Sequence, residues 1–255
     1  MNQTILITGA SSGLGKDTAK LFQSKGWNII ATMRTPESDI ELTQLDNVLV
    51  TKLDVLDLRS IENAVADGLS KFGKIDVLVN NAGYGAYDPF ESCPREKIVR
   101  QFNTNVIGLL DVTKVLIPHF RENKSGVIIN ISLGSLYQGT KFAVEGISES
   151  LNHEVEQFGG KVKIVEPGAI TIDFESHSLD FANDENLAEY QTLVGDVIAG
   201  MPALYRSTSS GTDVANVLYQ AATDGKNQLR YIAGEDGKFM VATRKRADDE
   251  VFIAD

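Results

Sequence analysis

The sequence predicts a doubly wound α/β fold, in which helices cover both faces of a parallel sheet. Short runs rich in β-branched residues or leucine alternate with segments whose apolar residues recur at helical spacing. The runs are apolar at almost every position, which is typical of strands buried on both faces. A glycine-rich turn joins the first run to the first helical segment. Right-handed crossovers between successive strands would place the helices on the two faces.

The first half of the chain carries four predicted strands separated by segments compatible with helices. These strands are Thr4 to Thr8, Asn28 to Met33, Val48 to Leu53 and Ile75 to Val79. The first run is apolar up to Gly9, where the strand ends. Gly15 to Lys25 is predicted as a helix because Ala19 and Phe22 recur at helical spacing.

The second half continues the alternation of strands and helices, and after Pro167 the pattern becomes less regular. Long helices are predicted from about Arg95 to Phe120, where Pro118 lies near the end, and from about Tyr137 to Phe158, where glycines follow. The remaining elements are strands at Val127 to Ile131, Val162 to Val165 and Gln228 to Ile232, and a helix at Thr212 to Thr223. The polar stretch at about 174–205 predicts a small substrate lid of one or two helices.

Length and composition predict one globular domain over residues 1–255. The chain is 42% hydrophobic and 23% charged, and its net charge of −11 argues against a nucleic-acid surface. No run of 18 apolar residues occurs, so we expect no membrane segment. The single cysteine, Cys93, fits a reducing compartment, and we expect a cytoplasmic protein. The three histidines lack the spacing of metal ligands, so no metal is predicted.

The turn after the first strand predicts a dinucleotide site. Glycines there let the backbone approach a pyrophosphate at a helix N-terminus, as in a Rossmann-like fold. Glycines also simply close turns, but Asn81, Ala82 and Gly83 at the end of the fourth strand strengthen the functional reading. The predicted contacts in the turn are Gly9, Ser11, Ser12, Gly13, Leu14 and Gly15.

The end of the second strand favours NADP over NAD. An acidic side chain there would hold the 2′-hydroxyl of the adenosine ribose, which Met33 cannot do. The neighbouring Arg34 is instead suited to pair with a 2′-phosphate. The alternative is that Arg34 is a solvated arginine that follows a strand.

Tyr137 and Lys141 form a candidate acid/base pair, because residues four apart on a helix share one face. A free tyrosine titrates near pH 10, so proton transfer at neutral pH requires a shift of roughly three units, or about 4 kcal/mol. The Lys141 ammonium and a cationic nicotinamide ring would supply much of that stabilisation. Tyr137 is therefore the predicted general acid/base.

Together these motifs resemble the short-chain dehydrogenase/reductase family over nearly the whole chain. Six motifs carry the resemblance in family order: Thr8-Gly9-xxx-Gly13-x-Gly15, Leu53-Asp54-Val55, Asn80-Asn81-Ala82-Gly83, Asn105 in Asn-Val-Ile-Gly, Tyr137-xxx-Lys141 and Pro167-Gly168. Any one of them could arise by chance, but six in order leave little room for another interpretation.

The resemblance implies a role for each matched residue. Asp54 and Val55 would flank the adenine, and Gly83 would line the cofactor cleft. Pro167, Gly168 and Ile170 would touch the nicotinamide end. Tyr137 would transfer the proton, Lys141 would also bind the nicotinamide ribose, and Asn105 would hold a water in the proton relay. A hydride would move between nicotinamide and substrate carbon.

The chain departs from the family pattern where the catalytic serine is expected. The family places that serine about a dozen residues before the tyrosine, whereas only four residues separate Ser132 from Tyr137. Ser132 matches the first serine of the family's pair, and its side chain at the strand end would point away from the site. Either roughly ten residues are absent, or the printed sequence omits a loop. We favour the second because each flank resembles the family closely; an intact mass near 27.8 kDa would contradict it.

A second departure is Ile172, where the family often has a threonine that contacts the cofactor.

The leading hypothesis is an NADP(H)-dependent oxidoreductase that interconverts a ketone or aldehyde with an alcohol. The absence of the family's catalytic serine motivates an alternative, a catalytically silent NADP-binding sensor or scaffold. An isomerase or dehydratase on the same scaffold is a weaker alternative. The resemblance also implies a homodimer or homotetramer paired through the helices that begin near Arg95 and Tyr137.

Overall fold

A computed structural model of the chain describes residues 2–132, 138–171, 179–181, 183–204 and 209–246. Within these residues seven parallel strands form one sheet in the spatial order β3-β2-β1-β4-β6-β7-β11. They are β1 (Thr4–Thr8), β2 (Asn28–Met33), β3 (Val48–Lys52), β4 (Val77–Asn80), β6 (Gly126–Ile131), β7 (Gly160–Pro167) and β11 (Arg230–Ala233). From β1 the chain adds β2 and β3 on one side, and from β4 onwards it adds strands on the other side. A doubly wound sheet binds its ligand at such a reversal, beyond the carboxyl ends of the strands.

Helices pack on both faces of the sheet. They are α1 (Gly13–Ser24), α2 (Leu58–Phe72), α3 (Arg95–Phe102), α4 (Gly108–Glu122), α5 (Gln138–Glu156), α6 (Gln191–Leu204), α7 (Gly211–Thr223) and α8 (Glu235–Arg246). Strand β1 shows why two layers of helices are needed. Ile5 and Ile7 join the core formed with α1 and α7, whereas Leu6 joins the core formed with α2 and α4. The predicted doubly wound α/β fold is confirmed.

The long helix expected from Arg95 is interrupted by one π-helical turn at Asn103–Ile107, between α3 and α4. A π turn shifts the direction in which successive side chains point, and such turns often occur at functional sites. This one carries Asn105, whose side chain is 3% exposed. The periodicity of apolar residues does not reveal the interruption, because α3 and α4 continue on either side of it.

Two short pairs of parallel strands lie outside the main sheet. The sequence pattern does not predict them. β5 (Gly85–Tyr87) pairs with β9 (Leu179–Phe181), and β8 (Ile170–Thr171) pairs with β10 (Ser209–Ser210). Ion pairs hold the first pair to α3, since Asp180 accepts from Lys97 (2.9 Å) and Arg100 (2.8 Å). In the predicted lid region the described residues include helix α6. The C-terminal helix α8 was also not predicted.

In the part of the chain that the structure describes, no helix combines the length and the apolarity needed to cross a bilayer.

Candidate active site

The turn between β1 and α1 has a backbone that only glycine adopts easily. Gly9 and Gly13 have φ values of +69° and +51°, in the left-handed region. At Gly15 a Cβ atom would lie 2.3 Å from the carbonyl oxygen of Gly9, so a side chain is excluded. The Lys16 N–H donates to Ser12 (3.3 Å), which leaves the N–H groups of the three preceding residues without a partner inside the helix. The turn is therefore suited to binding an anion.

The turn after β4 is hydrogen bonded directly to this glycine turn. The Asn81 side-chain amide donates to the carbonyl oxygens of Thr8 (2.9 Å) and Gly9 (3.0 Å). In return, the Thr8 hydroxyl accepts from the backbone N–H groups of Asn81 and Ala82, both at 3.0 Å. These four bonds explain how motifs more than 70 residues apart form one edge. The sequence predicts a role for Asn81 and Ala82 but no contact for the Thr8 hydroxyl.

Asn105 connects the turn after β4, at Gly83 and Tyr84, to helix α5. Its side-chain carbonyl accepts from the Tyr84 N–H (3.1 Å), and its amide donates to the Tyr84 carbonyl (2.8 Å) and the Thr140 hydroxyl (3.2 Å). Gly83 lies so close that a Cβ there would approach the Asn105 carbonyl oxygen to 3.1 Å. The side chain of Asn105 therefore holds the Gly83 turn and the start of α5 together.

Lys141 lies in the first turn of α5, and its ammonium donates to the Ile131 carbonyl at the end of β6 (2.9 Å). Burial lowers the pKa of Lys141 to about 8. The ammonium form still predominates at pH 7, so a positive charge is available at the carboxyl edge. Tyr137 immediately precedes α5 and lies outside the described residues.

The lowered pKa of Lys141 predicts that stability depends on pH. Between pH 8 and the ordinary lysine value of 10.5, the unfolded chain binds more protons than the folded chain. The free energy of unfolding should therefore rise with pH across this window relative to that of Lys141→Met. Urea unfolding at pH 7, 8, 9 and 10 measures the difference. Lys114→Met, which removes an exposed lysine of α4, is the control; parallel curves for wild type and Lys141→Met would contradict the prediction.

Ser132 is completely buried, and its hydroxyl is turned towards helix α5. It donates to a Glu145 carboxylate oxygen (2.7 Å) and lies 3.5 Å from the Lys141 carbonyl oxygen. Glu145 in turn pairs with Arg230 of β11 (3.4 Å), which also bonds Glu149 (2.6 Å). No local spacing in the sequence indicates this pairing, because Arg230 is about 80 residues away from both carboxylates in the chain.

The part of the edge that follows β2 and β3 is more open. Arg34 follows β2 with an exposed side chain that has no ion pair or hydrogen bond among the described residues, whereas Met33 is 3% exposed. Asp54 accepts a hydrogen bond from the Leu56 N–H (3.0 Å), which orders the loop after β3. Val55 is buried against Gly108, where a Cβ would approach it to 2.7 Å. Arg34 is thus available to a ligand.

At the opposite end, the loop after β7 is held by helix α8. The Asp236 carboxylate accepts from the Ala169 N–H (2.6 Å), and Gly168 donates to Ala233 at the end of β11 (3.1 Å). A Cβ at Gly168 would lie 2.1 Å from that carboxylate, so a side chain there would displace Asp236 from its bond to Ala169. Pro167 ends β7, and Ile170 begins β8. Ile172 lies outside the described residues.

The chain is similar to known proteins over most of its length. Residues 3–181 match the family model of the short chain dehydrogenases. An uncharacterized oxidoreductase of Schizosaccharomyces pombe is 42% identical over 87% of this chain and 97% of its own. A 3-ketodihydrosphingosine reductase of Bacteroides thetaiotaomicron is 39% identical over 73% of this chain and 68% of its own.

Solved structures show the same architecture. A short-chain dehydrogenase from Streptomyces avermitilis superposes with a TM-score of 0.84 and 32% identity, over 96% of this chain and 92% of that one. The structure of ElxO with NADP bound gives a TM-score of 0.75 and 25% identity, over 94% of this chain and all of that one.

Proposed function

The chain belongs to the short-chain dehydrogenase family, and from this premise we propose an NADP(H)-dependent oxidoreductase that interconverts a ketone or aldehyde with an alcohol. At the level of its family it is a dehydrogenase or reductase acting on CH–OH groups. The observation that carries the finer proposal is the single edge formed by the glycine turn, the Asn81 turn and the Lys141 ammonium.

The residues at this edge fit a nicotinamide dinucleotide. Positive φ at Gly9 and Gly13 and the unpaired N–H groups at the start of α1 suit a pyrophosphate. Asp54 and Val55 would lie beside the adenine, and Asn81 to Gly83 along the cleft. Lys141 and Tyr137 would bind the nicotinamide ribose, and Pro167 to Ile170 the carboxamide. The NADP-bound ElxO structure supports a cofactor of this class.

In the proposed reaction this chain supplies the proton and the orientation. When bound, the cofactor donates or accepts the hydride at the substrate carbon. Tyr137 donates the proton to the carbonyl oxygen during reduction and removes it from the hydroxyl during oxidation. The Lys141 ammonium favours the phenolate left after donation, and Asn105 holds the relay water through which Tyr137 regains its proton.

Ser132 belongs to the proposed tetrad, but its hydroxyl is bonded to Glu145, which itself pairs with Arg230. A second donor to the substrate oxygen would strengthen polarisation of the carbonyl. In the described geometry that donation requires the Ser132 hydroxyl to rotate away from Glu145. The proposal therefore assigns the main polarising role to Tyr137.

A screen for NADPH depletion over ketones and aldehydes tests the reaction. Long-chain amino ketones belong in the panel because the Bacteroides thetaiotaomicron relative is named for 3-ketodihydrosphingosine reduction. Consumption of NADPH with formation of the matching alcohol supports the proposal. Tight NADPH binding without turnover over the whole panel would favour the silent sensor instead.

Arg34→Ala should weaken NADPH binding roughly tenfold and change NADH binding little, because a charge-assisted contact to phosphate contributes about 1.5 kcal/mol. Quenching or enhancement of nicotinamide fluorescence measures both dissociation constants. Arg59→Ala, which removes an arginine from the first turn of α2, is the control. Equal losses for the two cofactors would defeat the pairing of Arg34 with a 2′-phosphate.

We also propose a cytoplasmic homodimer or homotetramer. Large apolar side chains remain exposed on α3, the π turn and α5, namely Phe102 (42%), Ile107 (48%) and Phe142 (61%). Because these elements are neighbours, their exposed apolar side chains would supply the apolar patch that is typical of subunit interfaces. Sedimentation at micromolar concentration distinguishes the oligomers from a monomer.

A further inference from the structure

A small pocket lies beside the glycine turn, at the end where the proposed cofactor would place its adenosine ribose. Ser11 of the turn, Lys16 of α1 and Met33 at the end of β2 line one side of it. Asp39 and Glu41, from the segment after β2, line the other side. The pocket thus joins the two elements between which a ribose 2′ substituent lies in a doubly wound fold.

Lys16 is held in this pocket by carboxylates. Its ammonium bonds a Glu41 oxygen at 3.0 Å and lies 4.0 Å from Asp39. The other Glu41 oxygen bonds Lys20, one turn further along α1. Lys16 is the more enclosed of the two lysines, with 21% of its side chain exposed against 45% for Lys20.

The two carboxylates differ in their freedom to move. Asp39 is 2% exposed at its side chain and accepts from the N–H groups of Leu42 (2.7 Å) and Thr43 (3.1 Å), so its position is fixed. Glu41 is 57% exposed, and the only bonds of its side chain among the described residues are to the two lysines. Its pKa is lowered to about 2, first by its hydrogen bond from Lys20 and then by that from Lys16, so it is ionised at neutral pH. Glu41 is therefore the charged group that can rotate out of the pocket.

The charges of Lys16, Lys20, Asp39 and Glu41 cancel, so these four groups by themselves offer no net attraction to a dianion. A phosphate that enters the pocket would bond the Lys16 ammonium only if the ion pair between Lys16 and Glu41 breaks. We propose that Lys16 is a specificity-determining contact for the 2′-phosphate of the cofactor and that Glu41 competes with that phosphate for Lys16. Glu41 rotates outward with Lys20, while Asp39 keeps Lys16 at the pocket. This inference rests on the proposed cofactor and adds two residues to its recognition.

Calorimetric binding of adenosine 2′,5′-bisphosphate and adenosine 5′-monophosphate tests the inference without turnover. Lys16→Met should weaken the bisphosphate roughly tenfold and the monophosphate less than about twofold. Glu41→Gln should tighten the bisphosphate by about three- to tenfold, the range expected for removing a nearby charge at a solvated site, and leave the monophosphate unchanged.

Matched controls separate a specific contact from a general change in charge. Lys25→Met removes an exposed lysine that follows α1 and does not line the pocket, and Glu37→Gln removes a neighbouring exposed carboxylate. Both should change the ratio of the two affinities by less than about twofold. A Lys25→Met effect as large as that of Lys16→Met would overturn the inference.

Two further outcomes separate a failure of this inference from a failure of the proposed function. If wild type binds both ligands and the ratio is unchanged in Lys16→Met and Glu41→Gln, this inference fails while the proposed function stands. If wild type binds neither these ligands nor NADPH, the proposed cofactor fails and the inference fails with it. Because Glu41 is exposed, Glu41→Gln should fold normally, and a failure of Lys16→Met to fold would leave the Glu41 result to decide.

Discussion

Replacing Tyr137 by phenylalanine is expected to lower turnover by roughly 10³-fold and to leave NADPH affinity nearly unchanged. The variant keeps the ring and loses only the hydroxyl that would carry the proton. The adjacent elements support this role, because helix α5 begins one residue later and the Lys141 ammonium lies at the carboxyl edge. Stopped-flow turnover on the best substrate of the carbonyl panel, together with NADPH fluorescence, measures both quantities.

Tyr219→Phe is the matched control for this experiment. It removes a phenol from α7, where the ring packs on Phe22 with centroids 5.2 Å apart, and it should leave turnover unchanged. Full activity of Tyr137→Phe would contradict the assignment of the proton donor. A loss of NADPH binding as large as the loss of turnover would instead indicate that the Tyr137 hydroxyl acts mainly by binding the nicotinamide ribose and not as the proton donor.

Gly15→Ala is expected to have the largest effect among the cofactor residues. The added Cβ would lie 2.3 Å from the Gly9 carbonyl oxygen and 2.6 Å from the Asn81 side-chain nitrogen, which is itself bonded to that oxygen. The glycine turn and the Asn81 turn would have to separate. We expect a loss of about 1–3 kcal/mol in stability and a loss of at least roughly tenfold in NADPH affinity.

Gly146→Ala is the control because Gly146 lies within helix α5 with nothing within 4 Å of an added Cβ. That variant should be stabilised by up to about 1 kcal/mol through helix propensity and should bind NADPH normally. Urea unfolding and NADPH titration of the two variants give the comparison. A Gly15→Ala protein with the stability and affinity of wild type would show that the two turns tolerate separation.

Much of the fold could be predicted because buried strands and amphipathic helices leave local patterns. The strands Thr4–Thr8 and Asn28–Met33 have the predicted bounds, and β6 differs only by beginning at Gly126. The strand predicted from Ile75 to Val79 begins at Val77 and ends at Asn80. Here the apolar run marked burial, since Ile75 is fully buried, but it did not mark where the ladder of hydrogen bonds begins.

The candidate site was predictable to a smaller extent. Glycines with positive φ, and a tyrosine and a lysine four residues apart, are local patterns, so their spacing is visible in the sequence. The Thr8 hydroxyl bonds, the π turn at Asn105 and the pairing of Glu145 with Arg230 depend on which segments become neighbours. No local spacing records them. The roles of Tyr137, Lys141, Asn105 and Ser132 stay predictions that the variants above test.

The chain's own order of residues determined the family, the doubly wound sheet and the glycine turn, because each follows from periodicity, backbone freedom or a motif within a few residues. Only the tertiary structure decided where the Ser132 hydroxyl points, what lowers the pKa of Lys141 and which carboxylates hold Lys16. Those properties depend on burial and on charges brought together from distant segments. Electrostatic energies depend on distance and on exclusion of water, which exist only after the chain has folded.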